Sequence, residues 1–414
     1  MKKGLILFIF SCILSVVIIA QDEPAFGIRF SGFVKTDIFW DSRQTVAARE
    51  GHFLLYPANE KLDAEGNDIN AKANFNMLSI QTRLRGTITG PDALGAKTSG
   101  VIEGAFFGHS DGDINGFRLR HAFVKLQWTK TSLLVGQFWH PMFVTACFPG
   151  VVSFNTGTPF QPFSRNPQIR VTQNLGKFNF ILTALSELDF VSTGPDGASE
   201  KYIRNSAIPT FNFRIEYHNI NKEENKEFLV GAGINYKTLL PRLSTDSNYK
   251  TSETIGSLSE MIYLKLRFPK ITFKLEGVYA EDPYDRLMIG GYGVESYTDP
   301  MKDYVVYAPV STASGWLDIH TNGKTWQVGL LAGYSKNMGA GEDLVGPTYQ
   351  RGANIAYLYR IAPRFIYNSG RFRIAPEIEY TVAAYGETIK ADGTVEDIKE
   401  IGNVRFLLGV YLFF

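Results

Sequence analysis

From Ile28 to the end of the chain, apolar and polar residues alternate with period two in run after run, the spacing that sends successive side chains to opposite faces of a β-strand. In the first run Ile28, Phe30, Val34, Ile38 and Trp40 share one side, with Arg29, Ser31, Lys35 and Asp37 on the other. In the second, Leu78, Ile80, Leu84 and Ile88 oppose Gln81, Arg83 and Arg85. Further on, Ile355, Tyr357, Tyr359, Ile361 and Phe365 oppose Asn354, Arg360 and Arg364, and then Phe372, Ile374, Ile378 and Tyr380 oppose Arg371, Arg373, Glu377 and Glu379. The last stripe, Val404, Phe406, Leu408, Val410, Leu412 and Phe414, runs into the final residue, where ordinary termini fray. Arg118 and Arg120 fall out of phase with Lys125 and Gln127, which predicts a β-bulge near His121.

The pattern predicts sixteen strands, at roughly 28–41, 75–89, 98–108, 117–129, 132–138, 168–175, 178–187, 209–218, 227–236, 259–268, 271–280, 314–320, 325–335, 353–367, 371–385 and 401–414. Connections after even-numbered strands are short, such as Lys130-Thr131, Gly176-Lys177, Pro269-Lys270 and Asn368-Ser369-Gly370. Those after odd-numbered strands are mostly long: 42–74, 139–167, 188–208, 237–258, 281–313, 336–352 and 386–400. Short turns on one side and long loops on the other are the cadence of a transmembrane β-barrel. Eight strands leave room that side chains can fill, whereas sixteen enclose a space too wide for that, so the apolar row must face lipid and the polar row water. A string of small soluble sandwiches would not explain the terminal strand. Trp40, Trp128, Trp316 and Trp326 fall at or near strand ends, the depth of an interfacial aromatic belt.

Residues 1–20 have the layout of a signal peptide: Lys2 and Lys3, an apolar run from Leu5 to Ile19, and small Ala20 before a cut ahead of Gln21. The run is short for a retained anchor, and it continues past Cys12, which argues against a lipoprotein cut. Residues 21–414 then form the barrel domain, and with Cys147 the one remaining cysteine no intrachain disulfide is expected. An exported chain of many alternating strands belongs in the outer membrane of a Gram-negative cell, among its lipids and lipopolysaccharide. Charged residues are 20% and aromatic residues 14% of the chain, which suits such a wall.

The formal net charge of +1 hides a segregation. Lumen-facing positions carry about seventeen Lys or Arg against about six Asp or Glu, and rings of basic residues favour anions in a confined channel. The pore-lining candidates are Lys35, Arg83, Arg85, Arg118, Arg120, Arg165, Arg170, Arg214, Arg360 and Arg364. Arginine suits carboxylate because its fork donates two parallel hydrogen bonds. The competing reading is that these arginines mainly pair with the acidic residues and with the constriction loop as wall structure, but a surplus of about eleven cannot all be paired on the wall. Segment 139–167, after the fifth strand, holds five prolines, many Phe and one charge, Arg165. Phe143, Phe154, Phe160 and Phe163 need burial, so the segment is expected to fold inward and narrow the barrel, the other possibility being burial between subunits. Lys35, Arg83, Arg214 and Arg360 are then expected to face it across the constriction.

Other motifs are weaker. Asp111, Asp113 and Asn115 open like a calcium loop, but Ala122 stands where an EF-hand needs its bidentate Glu, leaving a possible structural calcium at a loop tip and no other cofactor. Gly323-Lys324-Thr325 lacks the upstream glycine of a phosphate-binding loop, and the six histidines show no metal spacing. No Ser-His pair marks a hydrolase, so no enzyme is expected, and nothing points to nucleic acid.

Three stretches carry a family resemblance: Gly32-Phe-Val-Lys-Thr-Asp37, Arg118-Leu-Arg-His-Ala122 and Val135-Gly-Gln-Phe138. They resemble the DcaP-like trimeric porins, and the run from Phe39 to Tyr56 resembles a Bacteroidota branch of that group. The resemblance implies sixteen strands, a homotrimer and passive uptake of small anionic solutes such as dicarboxylates. The chain departs from the family in lacking a coiled-coil extension, its first strand following almost directly on the signal peptide. Two rival readings remain: a surface adhesin or assembly scaffold, and a hydrophobic-solute channel, favoured by the Phe-rich segment but expected to carry an N-terminal hatch. Energy coupling is not expected without a plug domain.

Overall fold

The structure, a computed structural model, describes residues 26–108, 113 and 115–414. The signal segment and Asp111 lie outside the described residues. In chain order the elements are β1 (Gly27–Asp41), β2 (Thr45–Ala48), β3 (Phe53–Pro57), β4 (Asn74–Leu78), β5 (Arg83–Thr89), β6 (Lys97–Ala105), β7 (Arg118–Gln127), β8 (Thr131–Trp139), β9 (Arg165–Leu175) and β10 (Phe178–Leu185). Helix α1 (Lys201–Ser206), β11 (Thr210–Asn221), β12 (Lys226–Leu239), β13 (Ile255–Arg267), β14 (Ile271–Glu281), β15 (Gly290–Asp299) and β16 (Tyr304–Thr321) follow. The chain ends with β17 (Trp326–Gly339), β18 (Thr348–Arg351), β19 (Ile355–Ser369), β20 (Phe372–Ile389) and β21 (Val395–Phe413).

Sixteen antiparallel staves close into a barrel, with β4 and β5 forming the two halves of one stave against β1. Closure comes from β1 on β21, in register from Phe33↔Phe413 to Asp41↔Arg405. Gly32 and Phe414 also exchange both backbone hydrogen bonds, at 3.1 Å each. A closed ladder leaves no edge, so backbone groups at membrane depth are paired within the wall. Outside it lie the apolar rows, with Phe30, Val124, Ile262, Ile361 and Phe406 all exposed.

Where the wall breaks its alternation, the sequence shows why. Between β4 and β5 the chain turns at Ser79–Thr82, with the Thr82 amide on the Ser79 carbonyl at 3.1 Å. The Thr82 hydroxyl stands in for the missing ladder, accepting from the Lys35 amide and donating to its carbonyl. Facing therefore flips: Phe75 and Met77 point outward above the break, and Ile80 is buried inside with Leu78 packed against the same core. The expectation that Leu78 and Ile80 share the lipid face of Leu84 is corrected. The predicted bulge is present, since His121 pairs with Glu103 and Leu119 with Gly104, leaving Arg120 as the extra residue. Both Arg120 and His121 are buried on the inner side. Trp316 is not in an interfacial belt but 4% exposed among inner residues, two positions from Asp318 on the same face. Ile355 is also buried, because a register shift separates it from Tyr357.

The wall is uneven in height. β10 has 8 residues and β6 has 9, about what a tilted strand needs to cross a bilayer, whereas β20 has 18 and β21 has 19. The tall side includes β15 and the upper part of β16, paired from Gly291↔Val310 to Asp299↔Tyr304. That stretch was expected to be loop, but glycines and aromatics blur its alternation. Its Tyr292, Val294, Val305 and Tyr307 form a small separate core with Tyr202 and Ile203 of α1, Leu239 and Ile255.

Candidate functional site

The chain leaves the wall at Trp139 and returns at Arg165; between them residues 140–164 run among the inner side chains. His140 closes the neck by donating its amide to the Ser164 carbonyl at 3.0 Å. Phe143, Phe154, Phe160 and Phe163 are 3%, 4%, 0% and 0% exposed, in one core with Phe53 and Leu55 of β3. The Phe53 ring lies 4.7 Å from Phe154 and 4.8 Å from Phe163, edge-on to both. The hairpin β2–β3 thus also lies inside, against the Phe-rich segment.

A non-helical backbone inside a barrel must have its polar groups satisfied by the wall. Here wall cations donate to loop carbonyls. Arg214 donates to Pro141 at 2.7 Å, Lys274 to Phe148 at 2.9 Å, Lys35 to Val152 at 2.9 Å and Arg360 to Thr158 at 2.9 Å. Wall carboxylates accept from loop amides: Asp318 from Gly150 at 3.3 Å, and Glu377 from Val152 and Ser153 at 2.7 and 2.9 Å. Burial and the nearby Arg286 push His140 down to about 3, and the neutral ring accepts the Met142 amide at 3.2 Å. Cys147 is buried and free, its thiol pushed up to about 12 by burial and by Glu276, so it is an inert packing group.

On the opposite side of the segment a cavity of about 350 Å³ remains. Its wall side is charged: Arg83 and Arg85 of β5, Glu103 of β6, and Arg120 and His121 of the β7 bulge. Its loop side is aromatic: Phe143, Phe148, Phe154 and Phe163, with Phe138 and Trp139. Arg120 reaches Glu103 at 2.9 Å, Arg85 at 3.3 Å and Arg83 at 3.6 Å. Three guanidiniums on one carboxylate leave two positive charges in surplus. Arg120 Nη1 is buried with no hydrogen-bond partner among the described residues. The volume lies in the range of about 300–1,000 Å³ usual for small-molecule sites. Two larger grooves of about 620 and 630 Å³ lie on the outer face, where lipid covers them.

The structure sorts the sequence candidates into three groups. Arg83, Arg85 and Arg120 line the cavity. Lys35, Arg170, Arg214, Arg360 and Arg364 hold loops or pair on the wall, Arg170 on the Trp139 carbonyl at 2.8 Å and Arg364 on Asp318 at 2.7 Å. Lys35, Arg214 and Arg360 therefore touch the inner segment directly and do not face it across an open gap. Arg118 and Arg165 meet on Asp189, a loop residue no motif flagged. Asp318, Asp41 and Arg49 also went unmarked, because nothing in their local sequence distinguishes them. Of the calcium candidates, Asp113 and Asn115 are exposed, and among the described residues no group of three or more His, Cys, Asp or Glu could hold a metal ion.

No family model matches the sequence, and a search of curated proteins finds no relative. Solved structures do match. The outer membrane channel DcaP of Acinetobacter baumannii superposes with a TM-score of 0.67 at 15% identity, covering 94% of this chain and 97% of that one. The anion-selective porin from Comamonas acidovorans gives 0.53 at 12%, covering 94% and 100%. OmpT of Vibrio cholerae, in a trimer form, gives 0.54 at 10%, covering 94% and 100%. At such identities the likeness is one of fold. The chain has the sixteen-stranded barrel fold of outer-membrane porins, and its apolar exterior places it in a Gram-negative outer membrane.

Proposed function

We propose that the protein is a porin, a passive channel that favours small hydrophilic anions, carboxylates foremost. The observation that carries this is the cavity in which Arg83, Arg85 and Arg120 share the single carboxylate of Glu103. An anion entering it meets uncompensated guanidiniums in a place too confined for full screening. The anion-selective porin among the fold neighbours supports the same reading. The Phe-rich segment 140–164 acts as the constriction, and pore charge falls to the residues its docking leaves over. We place the barrel in a homotrimer, with lipopolysaccharide at its outer rim, and assign it no catalysis, cofactor or energy coupling. Reversal potentials in planar bilayers under a salt gradient test the proposal: the expected sign is that of anion preference, and a clear cation preference overturns it. Negligible conductance would favour the scaffold reading instead.

A further inference from the structure

Asp189 lies in the connection from β10 to β11, outside every strand. Its carboxylate is gripped from three separate segments. Arg165, first residue of β9, brings Nε and Nη2 each to 2.8 Å of Oδ2. Arg118, first residue of β7, brings Nη2 to 2.9 Å of Oδ1. Arg49, in the turn from β2 to β3, adds Nη2 at 3.5 Å. The Asp189 side chain is only 3% exposed. A structural ion pair needs one guanidinium. Three around one carboxylate, Arg165 on one oxygen and Arg118 and Arg49 on the other, make a receptor for a carboxylate.

The seat adjoins the charged cavity. Arg165 lies 5.3 Å from the Trp139 ring and 5.5 Å from the Phe163 ring, both of which line that cavity. The next residue, Phe190, packs against Phe53 at 5.8 Å and Phe163 at 6.1 Å, and Arg49 lies over it at 5.3 Å. One turn of loop thus fills the anion seat with Asp189 and covers the aromatic surface with Phe190. Leu188 beside them is 53% exposed, so one flank of the turn is not packed by protein.

We infer that Arg49, Arg118 and Arg165 form a carboxylate-binding site which Asp189 occupies as a built-in surrogate, and that an incoming carboxylate displaces the 187–190 turn to open the path. The inference rests on the porin reading and deepens it. The solute class is an organic carboxylate with a flat apolar body: the carboxylate takes the place of Asp189, and the body takes that of Phe190 against Phe163 and Trp139.

Asp189→Asn keeps the shape of the surrogate and removes its charge. In planar bilayers the variant, checked for folding by heat-modifiable migration, is compared with the unchanged protein using benzoate as the probe and benzamide as its neutral counterpart. The expected result is a higher chloride conductance and block of that current by about tenfold less benzoate, a difference of about 1.4 kcal/mol, with benzamide inert in both. Arg49→Ala, at the longest contact, is the second variant. It loosens the latch and weakens the seat together, so conductance should rise while benzoate block becomes weaker, a combination that mere loosening of the loop does not give. Anion-selective channels whose conductance and benzoate sensitivity are untouched by either change overturn the inference and leave the porin reading standing. So does a rise in conductance in both variants with no shift in benzoate sensitivity. A cation-selective unchanged protein removes the porin reading itself, and this inference with it.

Discussion

Arg360 shows how one guanidinium can organise a lumen. It is fully buried and donates Nε to Thr381 at 2.8 Å, Nη1 to the Thr158 carbonyl at 2.9 Å, and Nη2 to the Leu54 and Leu55 carbonyls at 2.7 and 3.2 Å. Glu379 stands at 3.5 Å. One side chain therefore ties β3 and the Phe-rich segment to the wall. Arg360→Ala would leave Glu379 buried without its counter-charge and several carbonyls without a donor, a loss on the order of 3–5 kcal/mol. Heat-modifiable migration should shift to a lower temperature. Arg360→Lys restores the charge but not the planar fork, so it should recover only part of the loss; full recovery would reduce the role to charge alone. This residue also explains where the sequence misleads. A count of Asp and Glu finds too few partners for the inner arginines, because many of the true partners are backbone carbonyls, to which any residue type contributes equally. A surplus of arginine on strands therefore reads as free pore charge when much of it is loop anchorage.

At the level of elements, the strands were legible wherever one row faces lipid and the other does not, since that contrast enforces period two. Legibility failed where both faces are covered by protein. β15 pairs on both edges, with β16 and β18, and packs together with the top of β16 on α1, and β3 is buried at every position, so none of these shows alternation. The Phe-rich composition of 139–167 signalled burial, but the partners that bury it come from distant strands. The turn that carries Asp189 was invisible for the same reason, yet its anchoring gives a pH dependence. Glu187 accepts from the Ser192 amide at 2.7 Å and hydroxyl at 2.8 Å. Its carboxyl is pushed up to about 7 by burial and then by the negative charge of Asp285, against the pull of Lys237 and the Ser192 bonds. Burial works upward on Asp285 as well, but Lys237 and Arg286 hold it down at about 2. Lys237 also bridges Asp282 and Asp285, each at 2.8 Å. A carboxyl raised in the folded state stabilises below its ordinary range and loses that contribution as pH climbs through its raised value. Amide exchange at Ser192, corrected for its intrinsic rate, should therefore quicken as pH rises from about 4.5 through about 7 and then level off, and Glu187→Gln should flatten the rise. An unchanged slope in that variant would assign the opening to another group.

Over the whole molecule, near-neutrality conceals charges at very different depths. Arg83 and Arg85 face a cavity walled by packed aromatics, whereas Arg371 lies exposed at the short-turn mouth and Arg373 is half-buried, its Nε on Asn368 at 2.8 Å. Screening by salt acts over about 8–10 Å in open water and much less inside a packed lumen, so equal charges at the two depths act unequally on a passing ion. Arg214 is unsuitable as a probe of this, because removing it frees the Pro141 carbonyl and disturbs the inner segment itself. Arg83 and Arg85 can be removed together, since Arg120 still holds Glu103 at 2.9 Å. The double change Arg83→Ala with Arg85→Ala should keep the heat-stable barrel and lower the anion-to-cation permeability ratio, as the cavity surplus falls from two positive charges to none. Arg371→Ala with Arg373→Ala, the same loss of charge at the mouth, should move that ratio far less. If the two pairs lower it equally, selectivity is set by total lumen charge and the cavity is no filter; if only the inner pair does, the filter lies where the Phe-rich segment leaves its gap.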